Sequence, residues 1–502
     1  MAEIELNRET LSRLPDRIRR PGFDREAASG GIVHLGLGGF HRAHMARYTQ
    51  EVMEARPDML GWGIVGAGLL PADRRMADAL QPQDGLYSLV ERQDRDENVS
   101  IIGSILEVIF AGETSESLLD AIDRDSVRIV SLTVTEHGYC LNRSTKKLDP
   151  EHKQIVADLA DPRRPHSAPA LLVEAFRRRR DAERTPFTAL SCDNIQHNGN
   201  VLRAAVLAFA RLREERTGET GLHDWIEQNG LFPNTMVDRI TPVTHPEDSA
   251  YLARAYGLRD NWPVFCERFT QWVIEDRFSD GRPAWEDVGA QFVDDVTPYE
   301  FMKLRLLNGS HLAIAALGRL AGYRYIDETL RNPVIARYMA ALMDRETGPT
   351  LSPVPGIDLG DYKRTLIERF ANEGIKDTVE RVNTDAPLNV LVDPIRDRLQ
   401  LPPPAGGSID LLALGLAAWM RRIRGEDESG AAIEIRHPLA DELRAKAIEG
   451  GPDPRPLLSI RGLFGELGEN ETLVASLSHW LSSLYDVGSL RTLDRAAAEL
   501  GF

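Results

Sequence analysis

The run Gly31-Ile32-Val33-His34-Leu35-Gly36-Leu37-Gly38-Gly39 limits the fold of this chain more than any other stretch. Its apolar first half reads as a short buried strand and its glycines as a tight turn. Residues 40–54 then have helical spacing, with Ala43, Met45, Ala46, Tyr48 and Met53 as apolar members. A second strand candidate, residues 62–69, follows at the distance of a βαβ unit, and Asp73 lies just beyond it. A glycine turn before a helix lets backbone N–H groups approach a pyrophosphate where the helix dipole favours negative charge. An acid after the second strand can hold the ribose hydroxyls. Gly36 and Gly38 fill two places of G-x-G-x-x-G, but His41 stands in the third, so the motif by itself fits a plain strand-turn equally well. The βαβ context points to a dinucleotide.

Further strands are expected at residues 87–91, 101–105 and 127–134. The last opens into Thr135-Glu136-His137-Gly138-Tyr139, a turn at the carboxyl end of a strand, where ligands of open α/β sheets gather. After a helix over 168–184, the strand 187–192 ends in Asp193-Asn194. Asn194 is placed either to donate an amide hydrogen bond or simply to build a turn. A helix is expected over 201–213, and residues 232–242 bring Asp238 to a turn between prolines.

A chain of 502 residues exceeds what one core usually supports. Beyond Pro298 the β runs thin out and long amphipathic patterns take over. The expected organisation is an α/β, Rossmann-like dinucleotide-binding domain over residues 1–292 and a mostly α-helical substrate and catalytic domain over 293–502. The second domain opens with a helical stretch, residues 299–311, carrying Lys303, Asn308 and His311 among leucines. With helical spacing the three polar heads are expected over one arc, where an amine, an amide and an imidazole could hold an alcohol. The same stretch also fits a helix with snorkelling cations and a hydrogen-bonded core histidine.

A formal net charge of −17 repels polyanions, so neither nucleic acid nor an anionic membrane is expected as a partner. The longest apolar stretch, residues 411–420, is too short to span a bilayer, and the N-terminus lacks an apolar signal core. A cytoplasmic location is expected. Cys140, Cys192 and Cys266 are far apart and form no CxxC pair, and no cysteine set accompanies His41 and His44. They read as reduced, buried thiols, and no metal is expected.

Four islands, in this order, resemble the polyol-specific long-chain dehydrogenase/reductase family, the mannitol dehydrogenase and mannonate oxidoreductase group. They are Gly36-Leu37-Gly38-Gly39-Phe40-His41-Arg42-Ala43-His44, Thr133-Val134-Thr135-Glu136-His137-Gly138-Tyr139, Ser191-Cys192-Asp193-Asn194, and Lys303 to His311. The resemblance implies a metal-independent, NAD-dependent secondary alcohol dehydrogenase acting on a small polyol or ketose, D-mannitol to D-fructose, with D-arabinitol and D-sorbitol as further substrates. It implies Lys303 as general base, Asn194 and Asn308 as amides that stabilise the alkoxide, and His311 as the residue orienting the hydroxyl. Asp238, Arg369 and Lys376 are implied as substrate contacts. Gly36, Gly38, Gly39, Phe40, Thr135 and Glu136 fall on the cofactor side, and Asp73 is the acid that favours NAD over NADP. The preceding residue is Ala72 where some relatives carry a second acid, and His137 stands where a lysine or glycine is common. Within the same superfamily the rival is a uronate reductase, for which Arg369 and Lys376 would grip a carboxylate. A more remote rival is a catalytically inactive dinucleotide-binding regulator, against which the retained Lys303, Asn194, Asn308 and His311 speak. A monomer or weak homo-oligomer is expected.

Overall fold

The computed structural model describes residues 3–142 and 145–502. It divides into two compact units, one ending at Val296 and the other starting at Thr297.

The first unit is built on a five-stranded parallel sheet: β1 (Gly30–Leu35), β2 (Gly63–Gly68), β3 (Ile105–Phe110), β4 (Ile129–Leu132) and β5 (Thr188–Ser191). The order across the sheet is β3-β2-β1-β4-β5, so the winding direction reverses between β1 and β4, where His34 pairs with Ser131. Both faces are covered, which is why β1, β2, β4 and β5 are buried along almost their whole length and are mostly apolar. Ile32, Ile64, Ile129 and Leu190 pack into one core with Trp272 and Trp285. Val33, Val65, Val130 and Ala189 face the other, with helices α3 (Ala168–Asp181) and α4 (Asn198–Thr217). The alternation follows from the two-residue period of a strand.

Several expectations are corrected here. Residues 40–54 form two helices, α1 (Gly39–Ala43) and α2 (Met45–Ala55), broken at His44 with φ −120° and ψ −92°. The break is tertiary in origin: the His44 ring reaches the Gln271 carbonyl at 2.9 Å and packs edge-on against Trp272. The expected strand at 101–105 is the end of one strand, Asp96–Ile102, and the start of β3. Asp238 closes strand β6 (Thr235–Asp238), which runs antiparallel to β7 (Gln271–Glu275), and is buried there instead of lying on a turn. The N-terminal segment before β1 is packed too, because Ile4–Glu5 pairs with Leu258–Arg259 and Ile18–Arg19 with Val99–Ser100.

The second unit is helical, and among the described residues no strand occurs beyond Val293. The apolar run noted in the sequence becomes α8 (Asp410–Ile423), buried from Leu411 to Ile423, as a helix apolar on all sides must be. It packs on α6 (Gly309–Leu320) and α9 (Glu471–Val487). Its free N-terminal amides are met by the buried Glu346 carboxylate, which accepts from Leu411 N at 3.0 Å and Leu412 N at 2.7 Å. The three cysteines are free and buried, and among the described residues no helix is long and apolar enough to cross a membrane.

Candidate active site

In the first unit a cavity of about 510 Å³ lies at the carboxyl ends of β1, β2 and β4. Gly36, Leu37 and Gly38 form one wall, Leu69, Leu70 and Asp73 a second, and Thr133, Val134, Thr135 and Gly138 a third. This is the point where the strand order reverses, and ligands of such sheets bind there. Gly36 has φ +92°, and a Cβ added to it would sit 2.2 Å from the Thr133 carbonyl oxygen, so only glycine turns the chain here. Gly38 is different. A Cβ at Gly38 would meet no atom within 4 Å, which leaves the turn open on the side a pyrophosphate would approach. The Asp73 carboxylate accepts from Leu69 N and Leu70 N, each at 2.9 Å, which fixes its direction while its remaining lone pairs can take ribose hydroxyls. The residues present therefore fit a dinucleotide.

Beneath the turn, the His41 ring lies flat on His34, with ring centroids 3.4 Å apart and planes 15° from parallel. His34 bonds to Ser131 Oγ at 2.8 Å and to the Gly36 carbonyl at 3.1 Å. Burial pushes the His34 pKa down to about 3 and that of His41 well below the ordinary value. Both rings are thus neutral, as close stacking of two imidazoles requires. A histidine in the third glycine place is explained by this stack: β1 supplies a flat partner where another sequence would need close backbone packing.

The third wall is held by Asp193. This buried carboxylate accepts from Thr135 N at 2.7 Å and from Tyr139 Oη at 2.8 Å, and Tyr139 Oη also bonds Ser191 Oγ at 2.6 Å. Burial pushes the Asp193 carboxyl up to about 6, with the bonds from Tyr139, Thr135 and Val134 pulling it back down.

In the second unit the Lys303 stretch departs from the expected α-helix. It runs as α5 (Thr297–Met302), a π-helical turn over Lys303–Asn308, and then α6. The Gly309 N–H donates to the Leu304 carbonyl five residues back, and the Ser310 hydroxyl donates to the Leu306 carbonyl. In an α-helix, five residues advance by roughly 500°, which would set Lys303 and Asn308 roughly 140° apart. A turn closed by i→i+5 hydrogen bonds returns residue i+5 close to the bearing of residue i. The π turn, and not α spacing, therefore carries both heads on one side. Lys303 is 8% exposed and His311 7%, whereas Asn308 is half-buried. The His311 ring stacks on Phe370 at 4.3 Å, and its Nε2 lies 3.8 Å from Asp377, whose carboxylate is clamped by Arg381.

The structure thus gathers Gly36, Gly38, Asp73 and Thr135 on one cavity, while Phe40 stacks on His44 at 5.0 Å and Gly39 opens α1. Glu136 is exposed and ion-pairs with Lys146 at 2.6 Å. Asn194 is exposed just past β5, and Arg369 is buried on α7 (Leu359–Ala371), next to Phe370. Lys376 is half-exposed and pairs with the buried Asp327 at 2.9 Å, on the same oxygen that Arg331 reaches at 2.7 Å. The roles of Asp193 and His34 were not legible in the sequence. An acid directly after a fully buried strand was the available signal for the first, and a histidine inside such a strand for the second.

Family models for the mannitol dehydrogenase Rossmann domain and the mannitol dehydrogenase C-terminal domain match residues 30–287 and 295–485. Mannitol dehydrogenase 2 of Saccharomyces cerevisiae is 41% identical over 493 residues, 97% of this chain and 96% of that protein. Mannitol 2-dehydrogenase of Aspergillus fumigatus is 40% identical, covering 99% of both chains. Among solved structures, the ternary complex of Pseudomonas fluorescens mannitol 2-dehydrogenase with NAD and D-mannitol matches with a TM-score of 0.87 at 41% identity. That match covers 99% of this chain and 100% of the other. A D-sorbitol dehydrogenase in substrate-free form matches with a TM-score of 0.86 at 33% identity, covering 97% and 100%.

Proposed function

The chain belongs to the mannitol dehydrogenase family, and from that premise we propose that it oxidises a secondary alcohol of an open-chain polyol, D-mannitol to D-fructose. It is an NAD-dependent polyol dehydrogenase. The observation that carries this reading is the full-length likeness to the enzyme bound with NAD and D-mannitol, joined to a cavity at the sheet's switch point that fits a dinucleotide. D-Sorbitol and D-arabinitol are the further substrates to test.

NAD, when bound, supplies the acceptor for the hydride that leaves the carbinol carbon. The amine of Lys303 takes the hydroxyl proton as general base, and loss of both converts the alcohol to a ketone. Asn308 and Asn194 are the amides that donate to the alkoxide as it forms, each worth roughly 3 kcal/mol in the transition state. His311, held against Phe370, orients the reacting hydroxyl. Asp238 accepts from the polyol chain, and Arg369 and Lys376 donate to it. Gly39 and Phe40 shape the cofactor turn, Thr135 stands on the opposite wall, and Glu136 is its neighbour in the chain on the cofactor side. The first unit, ending at Val296, carries the dinucleotide and the second, starting at Thr297, the base.

The Lys376–Asp327 pair supports a neutral substrate over a uronate, because a carboxylate-binding lysine would need its charge unspent. The three buried, unpaired thiols support a cytoplasmic setting. A monomer or weak homo-oligomer of the 56.0 kDa chain is expected, and light scattering tests it. The deciding experiment is turnover of mannitol, sorbitol, arabinitol, fructose and fructuronate with NAD(H) and NADP(H), beside the Lys303→Ala variant. Mannitol oxidation lost in Lys303→Ala with NADH binding kept is the expected result, and near-normal turnover in that variant would dispose of the lysine as base.

A further inference from the structure

Thr135 stands on the cavity wall with φ +61°, a left-handed conformation in which a β-branched residue is a genuine outlier. Such a conformation persists only where its surroundings over-determine it. Here they do: the Thr135 N–H points at Asp193 Oδ1, 2.7 Å away, while Asp193 Oδ2 takes Tyr139 Oη at 2.8 Å and Val134 N at 3.3 Å. One carboxylate therefore closes the turn from Val134 to Tyr139 from behind. Its own backbone is tied as tightly. The Asp193 carbonyl accepts from Asn198 Nδ2 at 2.9 Å and from Ile195 N at 2.8 Å, which pins the loop that carries Asn194.

We propose that Asp193 is a positioning residue that makes the cofactor-facing turn at Thr135 and the Asn194 loop one mechanical piece. This rests on the reading of the cavity as the NAD site and of Asn194 as an alkoxide donor. Asp193 touches neither substrate nor cofactor. It acts by holding a strained turn in the shape the dinucleotide meets and, through the same residue's backbone, by holding the amide that meets the alkoxide. A carboxylate suits the place because it offers acceptors to all three donors at once and brings no competing donor.

The test is a set of three variants, read by NADH fluorescence titration and by steady-state mannitol oxidation. Asp193→Ala is expected to raise the NADH Kd at least tenfold and to lower kcat at least tenfold, with the KM for mannitol within threefold of wild type. Asp193→Asn keeps an acceptor for the Thr135 N–H but turns an NH2 toward Val134 N and Tyr139 Oη, so it is expected to fall between wild type and Asp193→Ala in both. Should the alanine variant not fold, Tyr139→Phe removes one of the three donors and is expected to raise the NADH Kd at least threefold. An unchanged Kd in Asp193→Ala, or in Tyr139→Phe if that variant has to decide, overturns the proposal. So does a rise in mannitol KM equal to the fall in kcat. Wild-type protein that binds no NADH would instead overturn the reading of the cavity, so the two failures are told apart.

Discussion

Gly36 and Gly38 sit two residues apart on the same turn, yet alanine in each place is expected to fail for opposite reasons. At position 36 the chain has φ +92°, which costs an L residue roughly 1–2 kcal/mol. The new Cβ would also lie 2.2 Å from the Thr133 carbonyl oxygen. That oxygen cannot move freely, because Thr133 N donates to the Leu35 carbonyl at 2.9 Å. Forced overlap of this kind adds typically 1–3 kcal/mol, so Gly36→Ala is expected to destabilise the protein by roughly 2–5 kcal/mol. For a unit of this size that is a fall in Tm of roughly 5–15 °C. At position 38 the backbone is ordinary, with φ −71° and ψ 173°, and the Cβ meets nothing within 4 Å. Gly38→Ala is therefore expected to melt within about 0.5 kcal/mol of wild type. Its methyl projects where the pyrophosphate must come close, so its NADH Kd is expected to rise at least tenfold, about 1.4 kcal/mol. Differential scanning fluorimetry and NADH fluorescence titration read the two effects separately. Wild-type NADH affinity in Gly38→Ala would refute the open side of the turn as the phosphate cradle, and a wild-type Tm in Gly36→Ala would refute the strain argument.

Three other outcomes are expected. Asn308→Ala lowers kcat about 10²–10³-fold with NADH affinity within twofold, and a raised mannitol KM with kcat intact would make the amide a binding group only. Asp73→Ser, by removing the acid that repels a 2′-phosphate, lowers the ratio of kcat/KM with NAD to that with NADP at least about tenfold. An unmoved ratio would take specificity away from Asp73. Burial pushes the Glu346 carboxyl up to about 7 despite its bonds to Leu411 and Leu412. Folded Glu346 thus binds a proton more tightly than the unfolded chain does. Its stabilisation is complete below the unfolded value near 4.5 and is lost as pH rises through 7, roughly 3 kcal/mol in all. Melting curves from pH 5 to 8 should show wild type losing stability relative to Glu346→Gln, and parallel curves would refute the argument.

The glycine turn, the apolar strands buried on both faces and the helical second half were legible along the chain, because each is a local pattern of two to four residues' reach. So was the set of reactive heads, Lys303, Asn308 and His311, since residue identity needs no fold. Their common bearing was expected from regular helical spacing, which is not what produces it. Regular α spacing sends Lys303 and Asn308 apart, and only the π turn, a departure that no short-range propensity encodes, returns them to one side. His41 reads as a defect in the glycine motif until β1 and α1 are packed and it finds His34 from seven residues earlier. Asp193 reads as half of a turn dipeptide until β5 is laid beside β4, which brings its carboxylate under Thr135, fifty-eight positions away. Composition and period decide which residues are buried and in what kind of element. Contacts between segments distant in the chain decide the strained turn, the broken helix and the neutral imidazole pair, because only burial against a specific partner can offset what each of them costs.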